Sequence, residues 1–374
     1  MDKSLVGGQD QSLHLINEVL NKAIRERATD IHWEPLVDAD HREIVIRFRI
    51  DGVLRDSQNV LKSESQLDSL INAIKIMGGL DPTKKRREQD GRFTVATLTG
   101  DYVDIRLASM PTIIGEKIAM RIMDRTRYCV SLEELGMLNQ FAEVYKGVLD
   151  KPEGFVVIAG PTGSGKTTTL YSSLNQVYSR QKNICTIEDP VECKFTGMNQ
   201  IQVEHEFGMT FVSGLRAIMR QDPDIIAVGE IRDGETARTA LQAALAGSLV
   251  FSTFHGRNAI QSVVRMFDMG VEPYFISSAL SAVIAQRLIR LVCKICKGKG
   301  CSQCVNTGFK KRTGIFELLI INDKIRNLIL NRASAEEITT AAGDNLIPFQ
   351  VDIDNLLKNN LTTEQEINRV FAIE

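Results

Sequence analysis

The 374-residue chain lacks several features that mark particular classes of protein. No apolar run reaches the ~18 residues of a membrane-spanning helix, and residues 1–8 carry no apolar core of a secretory signal. The net charge of −2 gives no general reason to expect nucleic acid as a partner. The apolar content of 43% is ordinary for a globular fold. These properties predict a protein of two or more domains that is made and kept in the cytosol.

Cysteine is scarce except in one short segment. Four of the seven cysteines form the pattern C-x2-C-x4-C-x2-C; they are Cys293, Cys296, Cys301 and Cys304. In a reducing compartment, two such pairs favour a tetrahedral Zn²⁺ site over disulfides. The four-residue gap requires a compact zinc knuckle, which Gly298 and Gly300 make possible. The alternative is a loop with four free cysteines.

One glycine-rich segment is typical of phosphate binding. Residues 160–167 read G-x-x-x-x-G-K-T, the P-loop pattern. An apolar run at 155–159 predicts a buried strand before it, and residues 168–178 predict a helix after it, which disfavours a turn that binds nothing. In this pattern Lys166 reaches the β- and γ-phosphates of ATP, and the Thr167 hydroxyl binds Mg²⁺. The predicted nucleotide-binding residues are Gly160, Pro161, Thr162, Gly163, Ser164, Gly165, Lys166, Thr167 and Thr168.

Residues 1–125 predict a separate α+β domain built around an antiparallel sheet. The strands alternate apolar and polar side chains, and the helical segments place apolar residues on one face. Two Asp-Gly pairs, at 51–52 and 90–91, are turn signals. The predicted helices are 12–27 and 66–77, and the predicted strands are 28–35, which Pro35 ends, 43–50, 92–95, 102–107 and 117–123.

Arginine occupies the polar face of these predicted strands, at Arg47, Arg49 and Arg106. For any one of them the default interpretation is a solvated sheet face. The sharper hypothesis is that they face a nucleotide bound by another domain or subunit. The basic run at 84–87 favours an exposed loop over a binding patch, because blocks of like charge usually stay solvated.

The pattern changes after residue 125. Residues 126–134 predict a linker, and a capping box at Ser131–Glu134 predicts the start of a helix. Residues 135–292 predict a parallel sheet with helices on both faces. The predicted strands are 155–159, 184–187, 225–228 and 249–253, and the predicted helices are 168–178, 211–220, 235–245 and 274–287. After the zinc knuckle at 293–304, residues 305–374 predict a final strand and helices opened by capping boxes at Ser334–Glu337 and Thr363–Glu366.

Three polar side chains stand where predicted strands end, namely Glu188, Glu230 and His255. Ligands of parallel sheets bind at that edge, where the P-loop also lies. Hydrolysis needs one carboxylate on Mg²⁺, a position that Glu230 fits, and one that orients or activates water, for which Glu188 is the second carboxylate. His255 would sense the γ-phosphate or donate to it. Each residue alone also fits an ordinary surface position, but together they predict an enzyme.

With these motifs the chain resembles the ATPases of type II secretion, type IV pili and competence pseudopili. Residues 160–167, 186–192, 220–233 and 251–255 are similar to the Walker A, Asp box, Walker B and His box of that superfamily, and residues 29–35, 47–52, 89–92 and 111–117 match its first domain. The tetracysteine segment resembles that of the assembly and secretion motors, and the layout resembles the short, competence-type members. Ser248, Gly256 and Arg257 depart from the family pattern and leave the subfamily open.

The resemblance implies a cytoplasmic hexameric ring, with a PAS-like N-terminal domain and a RecA-like C-terminal domain in each subunit. ATP would bind at the P-loop with Mg²⁺. Arginines among Arg47, Arg49 and Arg106 would complete the site within or between subunits. Hydrolysis would drive an inner-membrane platform protein that adds pilin subunits, so the protein would be peripheral to the membrane through that partner.

Two other classes of protein remain open at this point. A RecA-like nucleic-acid translocase is disfavoured by the near-neutral charge and by the lack of an aromatic and basic groove for single strands. A scaffold that binds nucleotide without hydrolysing it is disfavoured because Lys166, Thr167, Glu188 and Glu230 are all present. Stimulation of ATP turnover by DNA, or its absence, separates the first alternative from a filament motor.

Overall fold

The computed structural model describes residues 3–38, 41–61, 64–97, 102–123, 128 and 130–371. Two compact units make up the chain, Met1–Arg125 (unit 1) and Thr126–Glu374 (unit 2). Of the predicted linker at 126–134, residues 126, 127 and 129 lie outside the described residues.

The capping box at the start of unit 2 does not open a helix. Ser131 and Glu134 exchange the two predicted hydrogen bonds (2.9 and 3.1 Å), but these bonds close a turn. The chain then passes through Gly136 at φ 103°, which a helix cannot contain, and the next helix begins at Asn139. The prediction of a helix start at Ser131 is therefore wrong.

Unit 1 folds around one antiparallel sheet. Its strands are β1 (Asp30–Asp38), β2 (His41–Ile50), β3 (Val53–Leu61), β4 (Gln89–Ala96), β5 (Tyr102–Pro111) and β6 (Glu116–Met123), and its helices are α1 (Lys3–Arg25) and α2 (Glu64–Met77). The strand order is β3-β2-β1-β6-β5-β4. In α1 the apolar residues Ile16, Val19 and Ala23 recur every three to four positions and are buried against the sheet with Trp33.

The structure confirms one Asp-Gly turn and corrects the other. Asp51 (φ 49°) and Gly52 (φ 83°) join β2 to β3 as a two-residue hairpin turn. Asp90-Gly91, in contrast, lies inside β4. A Cβ atom on Gly91 would lie 2.2 Å from the Gly78 carbonyl oxygen, so this glycine permits a close backbone approach rather than a turn.

Strand β1 continues past the proline that was expected to end it. Pro35 pairs with Ile44 of β2, whereas β6 pairs with β1 only over Asp30–Trp33. Beyond Trp33, β1 is paired with β2 on one side and is unpaired on the other. Proline is tolerated in a strand where one side is unpaired, because it has no N–H to donate.

Unit 2 is built on an eight-stranded mixed sheet. Its strands are β7 (Gly154–Ala159), β8 (Ile184–Glu188), β9 (Asn199–Gln202), β10 (Ile225–Val228), β11 (Leu249–Phe254), β12 (Leu280–Val292), β13 (Phe309–Ile320) and β14 (Leu346–Ile347). The order is β14-β13-β12-β7-β11-β10-β8-β9. The six strands β12, β7, β11, β10, β8 and β9 are parallel to one another. The pairs β12–β13 and β13–β14 are antiparallel.

The helices of unit 2 cover both faces of this sheet, as predicted. They are α3 (Asn139–Leu149), α4 (Lys166–Val177), α5 (Phe211–Ile218), α6 (Gly234–Leu245), α7 (Ala259–Asp268), α8 (Pro273–Ala279), α9 (Asp323–Leu330), α10 (Ala335–Ala342), α11 (Phe349–Lys358) and α12 (Glu364–Phe371). Val156 and Ile158 of β7 share a core with α3 and α4, whereas Phe155 and Val157 share one with α5 to α8. The alternation along one strand thus separates two cores.

The predicted helix at 274–287 is mostly a strand. Helix α8 ends at Ala279, and the 13-residue strand β12 follows, pairing with β7 over Leu280–Ala285. Most of β12 is buried on both faces, so its apolar residues carry no period of two. An apolar run of this kind cannot be told from a buried helix by periodicity alone.

The two C-terminal capping boxes differ. Ser334 and Glu337 cap α10 reciprocally, as predicted. Thr363 accepts a hydrogen bond from the Glu366 amide (3.2 Å), but the Glu366 carboxylate binds Arg290 and Arg369 instead of returning to Thr363. The second capping box is therefore only half formed, because two guanidinium groups compete for its carboxylate.

Candidate functional site

Four parallel strands of unit 2 bring the predicted site residues to one edge of the sheet. Strand β7 leads into the P-loop, β8 ends with Glu188, and β10 and β11 lead to Glu230 and His255. Parallel neighbours β7, β11, β10 and β8 have their carboxyl ends on the same side. The edge at which ligands of such sheets bind therefore carries the P-loop, both carboxylates and the histidine.

The P-loop is held open by backbone geometry. Gly163 (φ 78°) and Gly165 (φ 91°) take left-handed conformations that favour glycine. Gly165 is the N-terminal cap of α4 and offers no side-chain capping bond, so the first amide groups of α4 are available to an anion. The fully buried strand β7 fixes one end of the loop and α4 fixes the other.

Lys166 folds back onto the loop that carries it. Its Nζ donates to the carbonyl oxygens of Gly160 (2.9 Å) and Pro161 (3.1 Å). Burial lowers the pKa of Lys166 to about 8; Arg287 acts in the same direction, and Glu230 opposes both. Phosphate oxygens would replace these carbonyl acceptors and raise the pKa again, so the site is prepared for an anion.

Glu230 lies in the open part of the site. Its carboxylate binds Arg232, which also lies 3.8 Å from Asp189. His255 Nε2 is 3.8 Å from the same carboxylate, beyond hydrogen-bond distance. The Glu230 side chain retains 23% exposure, so it is accessible to a hydrated metal ion.

His255 is a neutral imidazole at pH 7. Burial and, next, the charge of Lys166 lower its pKa below the ordinary value near 6.5, although Glu230 opposes this. A neutral imidazole both donates and accepts a hydrogen bond. Its side chain is 43% exposed, which suits contact with a ligand rather than with the core.

Glu188 is placed differently from Glu230. It is 4% exposed and accepts hydrogen bonds from the Tyr171 hydroxyl, Thr186 (2.6 Å) and Gln200 (3.2 Å). These three donors occupy both carboxylate oxygens. The structure therefore brings Glu188 to the expected edge but binds it within the protein, which is a poor state for a group that must take a proton from water.

Sequence reasoning missed the partners that surround these residues. Tyr171 of α4 and Gln200 of the unexpected strand β9 hold Glu188, and Arg232 holds Glu230. Arg232 stands two positions after Glu230, a spacing that was a usable signal. No sequence signal pointed to Gln200, because β9 is an edge strand of four residues without an apolar pattern.

The three predicted arginines of unit 1 are not equivalent. Arg47 forms an ion pair with Glu34, and Arg49 lies 3.9 Å from Asp30. Among the residues that the structure describes, no ion pair involves Arg106, which is exposed on β5. The first two arginines therefore have part of their charge balanced on the sheet, and the third does not.

Strand register places Arg106 in a row of cations across the polar face of the sheet. It stands opposite Arg121 of β6 on one side and opposite Arg92 of β4 on the other. Arg121 in turn stands opposite Asp30, which pairs with Arg49. The row therefore holds four arginines and one aspartate, and Arg106 has an arginine opposite it on each neighbouring strand.

The four cysteines of the knuckle converge as predicted. Their Sγ atoms all lie within 4.8 Å of one another, with separations of 3.9 Å (Cys293–Cys301), 3.6 Å (Cys296–Cys304) and 3.7 Å (Cys301–Cys304). Four sulfurs bound to one tetrahedral ion at about 2.3 Å are about 3.8 Å apart. Amide groups of Gly300 and Gly308 donate to Sγ atoms at 3.2 and 3.3 Å, which stabilises thiolates. The cluster fits a divalent ion with four thiolate ligands.

Comparison with known proteins matches nearly the whole chain. A family model described as type II/IV secretion system protein matches residues 8–369. Type II secretion system protein E of Pseudomonas aeruginosa is 41% identical over 388 residues, which cover 97% of this chain and 76% of that protein. The type IV pilus assembly ATPase PilB of Thermus thermophilus is 42% identical over 354 residues, covering 87% of this chain and 39% of that protein.

Solved structures share the fold. The ATPase DotB of Legionella pneumophila has a TM-score of 0.74 at 20% identity, with 96% of both chains covered. The pilus retraction motor PilT, solved with bound ADP, has a TM-score of 0.65 at 28% identity and covers 93% of this chain and 94% of that one. Within the described residues, no helix has the length and apolar character needed to cross a bilayer. The chain belongs to the type II/IV secretion system protein family and is an ATPase of the type II secretion and type IV pilus assembly class.

Proposed function

We propose that this ATPase works as a cytoplasmic hexamer that hydrolyses ATP to drive the assembly of a type IV pilus-like or pseudopilus filament. The observation that carries the proposal is the grouping of the P-loop, Glu230 and His255 at one edge of the unit 2 sheet. The filament would serve type II secretion, pilus extension or competence DNA uptake. Relatives named for type II secretion and pilus assembly support this class of cargo.

The loop 160–168 would bind the phosphates of ATP. Lys166 and the amide groups at the start of α4 supply positive charge to the β- and γ-phosphates. Thr167 and Glu230 would hold Mg²⁺, which supplies additional charge stabilisation to the phosphates when it is bound. His255, neutral and half-exposed, would donate to the γ-phosphate. Glu188, the second carboxylate, would act on water only if Tyr171, Thr186 and Gln200 released it.

Unit 1 would complete the site with arginine. Of Arg47, Arg49 and Arg106, the last has the least compensated charge, because Arg92 and Arg121 stand beside it on the neighbouring strands. A guanidinium stabilises the charge that develops on the transferred phosphoryl group. In a ring this arginine would come from the same subunit or from its neighbour, and a homo-hexamer supplies six equivalent sites.

The tetracysteine cluster would hold one Zn²⁺ in a closed structural site. Four thiolates leave no position for water, so the ion would not take part in hydrolysis. Its role would be to fold the segment 294–303, which is too short and polar to bury a core. Lys294, Lys297 and Lys299 offset the negative charge of the thiolates.

The knuckle is also the proposed contact with an inner-membrane platform protein. No aspartate or glutamate occurs from Pro273 to Phe316, so the exposed lysines of the knuckle form a positive surface that fits an acidic partner. Peripheral membrane association would follow from that partner. Direct binding of nucleic acid is not part of the proposal, since the chain as a whole has a net charge of −2.

The proposal is tested with the purified full-length protein. We expect Mg²⁺-dependent ATP turnover, a six-subunit assembly by native mass spectrometry, and loss of both tight ATP binding and turnover in Lys166→Ala. Where platform and pilin genes lie beside its own gene, co-expression with them should raise turnover. A rate that rises with DNA instead, and not with the platform protein, would favour the RecA-like nucleic-acid translocase.

A further inference from the structure

Strand β12 runs directly beside the P-loop. Ala285 pairs with Ala159, the last residue of β7, so Gln286 and Arg287 continue alongside the loop. Gln286 is 1% exposed and Arg287 is 2% exposed. Burying an amide and a guanidinium is unfavourable unless both are bound by partners. The sequence motifs give neither residue a role, and their partners show what each of them holds.

Gln286 holds the P-loop. Its side-chain amide donates to the Ser164 carbonyl oxygen at 2.7 Å. A Cβ atom on Gly165 would lie 3.1 Å from the same amide nitrogen, and one on Gly160 would lie 2.7 Å from the Gln286 carbonyl oxygen. A trans peptide directs its carbonyl and its N–H to opposite sides. Because the Ser164 carbonyl is directed at Gln286, the Gly165 N–H points away from β12 and stays available to a phosphate.

Arg287 holds the loop that follows His255. Its guanidinium donates to the Arg257 carbonyl oxygen at 2.6 Å. Two further bonds fix the same loop: Arg265 donates to the His255 carbonyl oxygen (2.8 Å), and the Ala259 amide donates to Glu317 (2.7 Å). The loop 255–259 is therefore bound at its first residue, the exposed histidine, and again at positions 257 and 259.

The C-terminal helices hold Arg287 in turn. Its guanidinium carbon lies 5.6 Å from the ring centre of Phe349 on α11 and 5.9 Å from that of Phe371 on α12. The two rings contact each other edge to face at 5.5 Å. Helix α12 is tied to β12 separately, through Glu366 and Arg290 (2.6 Å). Contacts therefore lead without interruption from α11 and α12 through Arg287 to the loop of His255.

We infer that Gln286 and Arg287 are positioning residues with separate tasks. Gln286 sets the phosphate loop and thereby nucleotide affinity. Arg287, fixed by Phe349 and Phe371, sets the loop of His255 and thereby turnover. The inference rests on the proposed roles of the P-loop and His255. It also makes the docking of α11 and α12 a requirement for turnover, although neither helix carries a residue of the nucleotide site.

The test uses variants of the full-length protein that remove one contact each. Gln286→Met keeps the length of the side chain and loses the amide, so we expect nucleotide affinity to fall about tenfold, the effect of about one hydrogen bond. Arg287→Met should lower kcat at least tenfold and change the Kd for ADP less than threefold. Arg287→Lys, which retains a donor, should recover part of kcat. Phe371→Leu should reproduce the Arg287→Met effect in weaker form.

The control is Arg238→Met. Arg238 of α6 lies over the ring of Phe275 of α8 at 5.2 Å and pairs with Glu272 at 3.1 Å, so this variant also loses a cation–ring contact. We expect its kcat and Kd to equal those of the parent. A merely structural role for Gln286 and Arg287 would change affinity and turnover together with the melting temperature.

The positioning roles and the proposed function fail separately. If Lys166→Ala abolishes binding and turnover while Gln286→Met and Arg287→Met leave both unchanged, the positioning roles are wrong and the proposed function stands. If both variants lower nucleotide affinity and kcat equally, the division of tasks is wrong. If Lys166→Ala retains binding and turnover, the P-loop assignment fails and the positioning roles fail with it.

Discussion

At the scale of single residues, the charge of Lys166 makes nucleotide binding dependent on pH. Its pKa of about 8 in the free protein means that raising the pH from 7 to 9 removes most of its charge. Phosphate binding requires the charged form, so binding above pH 8 must be accompanied by proton uptake. We expect the Kd for ADP to rise above pH 8, with a limiting slope of about tenfold per pH unit. Calorimetry at pH 7, 8 and 9 measures it, and a Kd that stays constant from pH 7 to pH 9 would contradict the prediction.

The two carboxylates of the site should respond differently to the same substitution. Glu230→Gln should still bind Mg-ATP but lose at least ~10²-fold in turnover, with little change in melting temperature, because Glu230 is partly exposed. Glu188→Gln should lower the melting temperature, since three donors converge on a buried carboxylate. Tyr171→Phe, which removes one donor, is the control for the network. If Glu188→Gln instead loses turnover without loss of stability, Glu188 is the residue that acts on water.

At the scale of elements, the packing of α11 on β13 depends on the protonation of one aspartate. Asp352 is 3% exposed and accepts a hydrogen bond from the Phe316 amide (2.7 Å). Burial raises the pKa of Asp352 to about 6 from an ordinary value near 3.8, although this hydrogen bond opposes the shift. A raised pKa in the folded state means that the stabilising effect is complete below about pH 4 and is lost as the pH rises through 6.

Asp352→Asn removes this titration and keeps an oxygen for the Phe316 amide. At pH 7 we therefore expect the variant to be more stable than the parent, by on the order of 2 kcal/mol. The difference should disappear at pH 4. Melting temperatures of both proteins across pH 4 to 8 give the difference directly, and other titrating groups cancel in it. A difference that is constant with pH would show that Asp352 stays ionised in the fold.

The tetracysteine knuckle is an element that the proposed Zn²⁺ should hold together. We expect one zinc per chain by elemental analysis, and loss of zinc in the double variant Cys293→Ser with Cys296→Ser. Cys185→Ala, which alters a buried cysteine of β8 far along the chain from the knuckle, should retain the metal. Chelation should loosen residues 293–304 to hydrogen exchange before it affects ATP turnover. Immediate loss of ATP turnover without faster hydrogen exchange in residues 293–304 would show that the ion has a role beyond stabilising the fold of this segment.

At the scale of the whole molecule, local signals in the sequence predicted the site better than its surroundings. Strand β10 and the P-loop were predicted because an apolar strand and a glycine pattern are local. The partners of Glu188 were not, since Gln200 comes from a short edge strand. The arginine row could not be read from the sequence, because Asp30 meets Arg49 and Arg121 only through strand register. Strand β12 was predicted as a helix because burial on both faces removes any period.

The arginine row gives the prediction that concerns the proposed hexameric ring. Arg106→Ala should lower turnover and leave nucleotide binding by the P-loop unchanged, because the guanidinium acts on charge that develops during phosphoryl transfer. Arg47→Ala and Arg49→Ala are the controls on the same sheet face, since Glu34 and Asp30 balance part of those two charges, and we expect smaller losses.

Mixing the Arg106→Ala and Lys166→Ala variants tests whether Arg106 serves a neighbouring subunit. A ring that contains Arg106→Ala and Lys166→Ala chains has interfaces where an intact P-loop meets an intact Arg106 from the next subunit. If the arginine acts between subunits, the mixture should hydrolyse ATP faster than either variant alone, with a maximum near equal amounts. If it acts within its own subunit, every site in the mixed ring lacks one of the two groups, and the rate should never exceed that of the better parent. Equal turnover of Arg106→Ala and the unaltered protein would show that Arg106 has no role in hydrolysis and that the arginine row is an ordinary solvated sheet face.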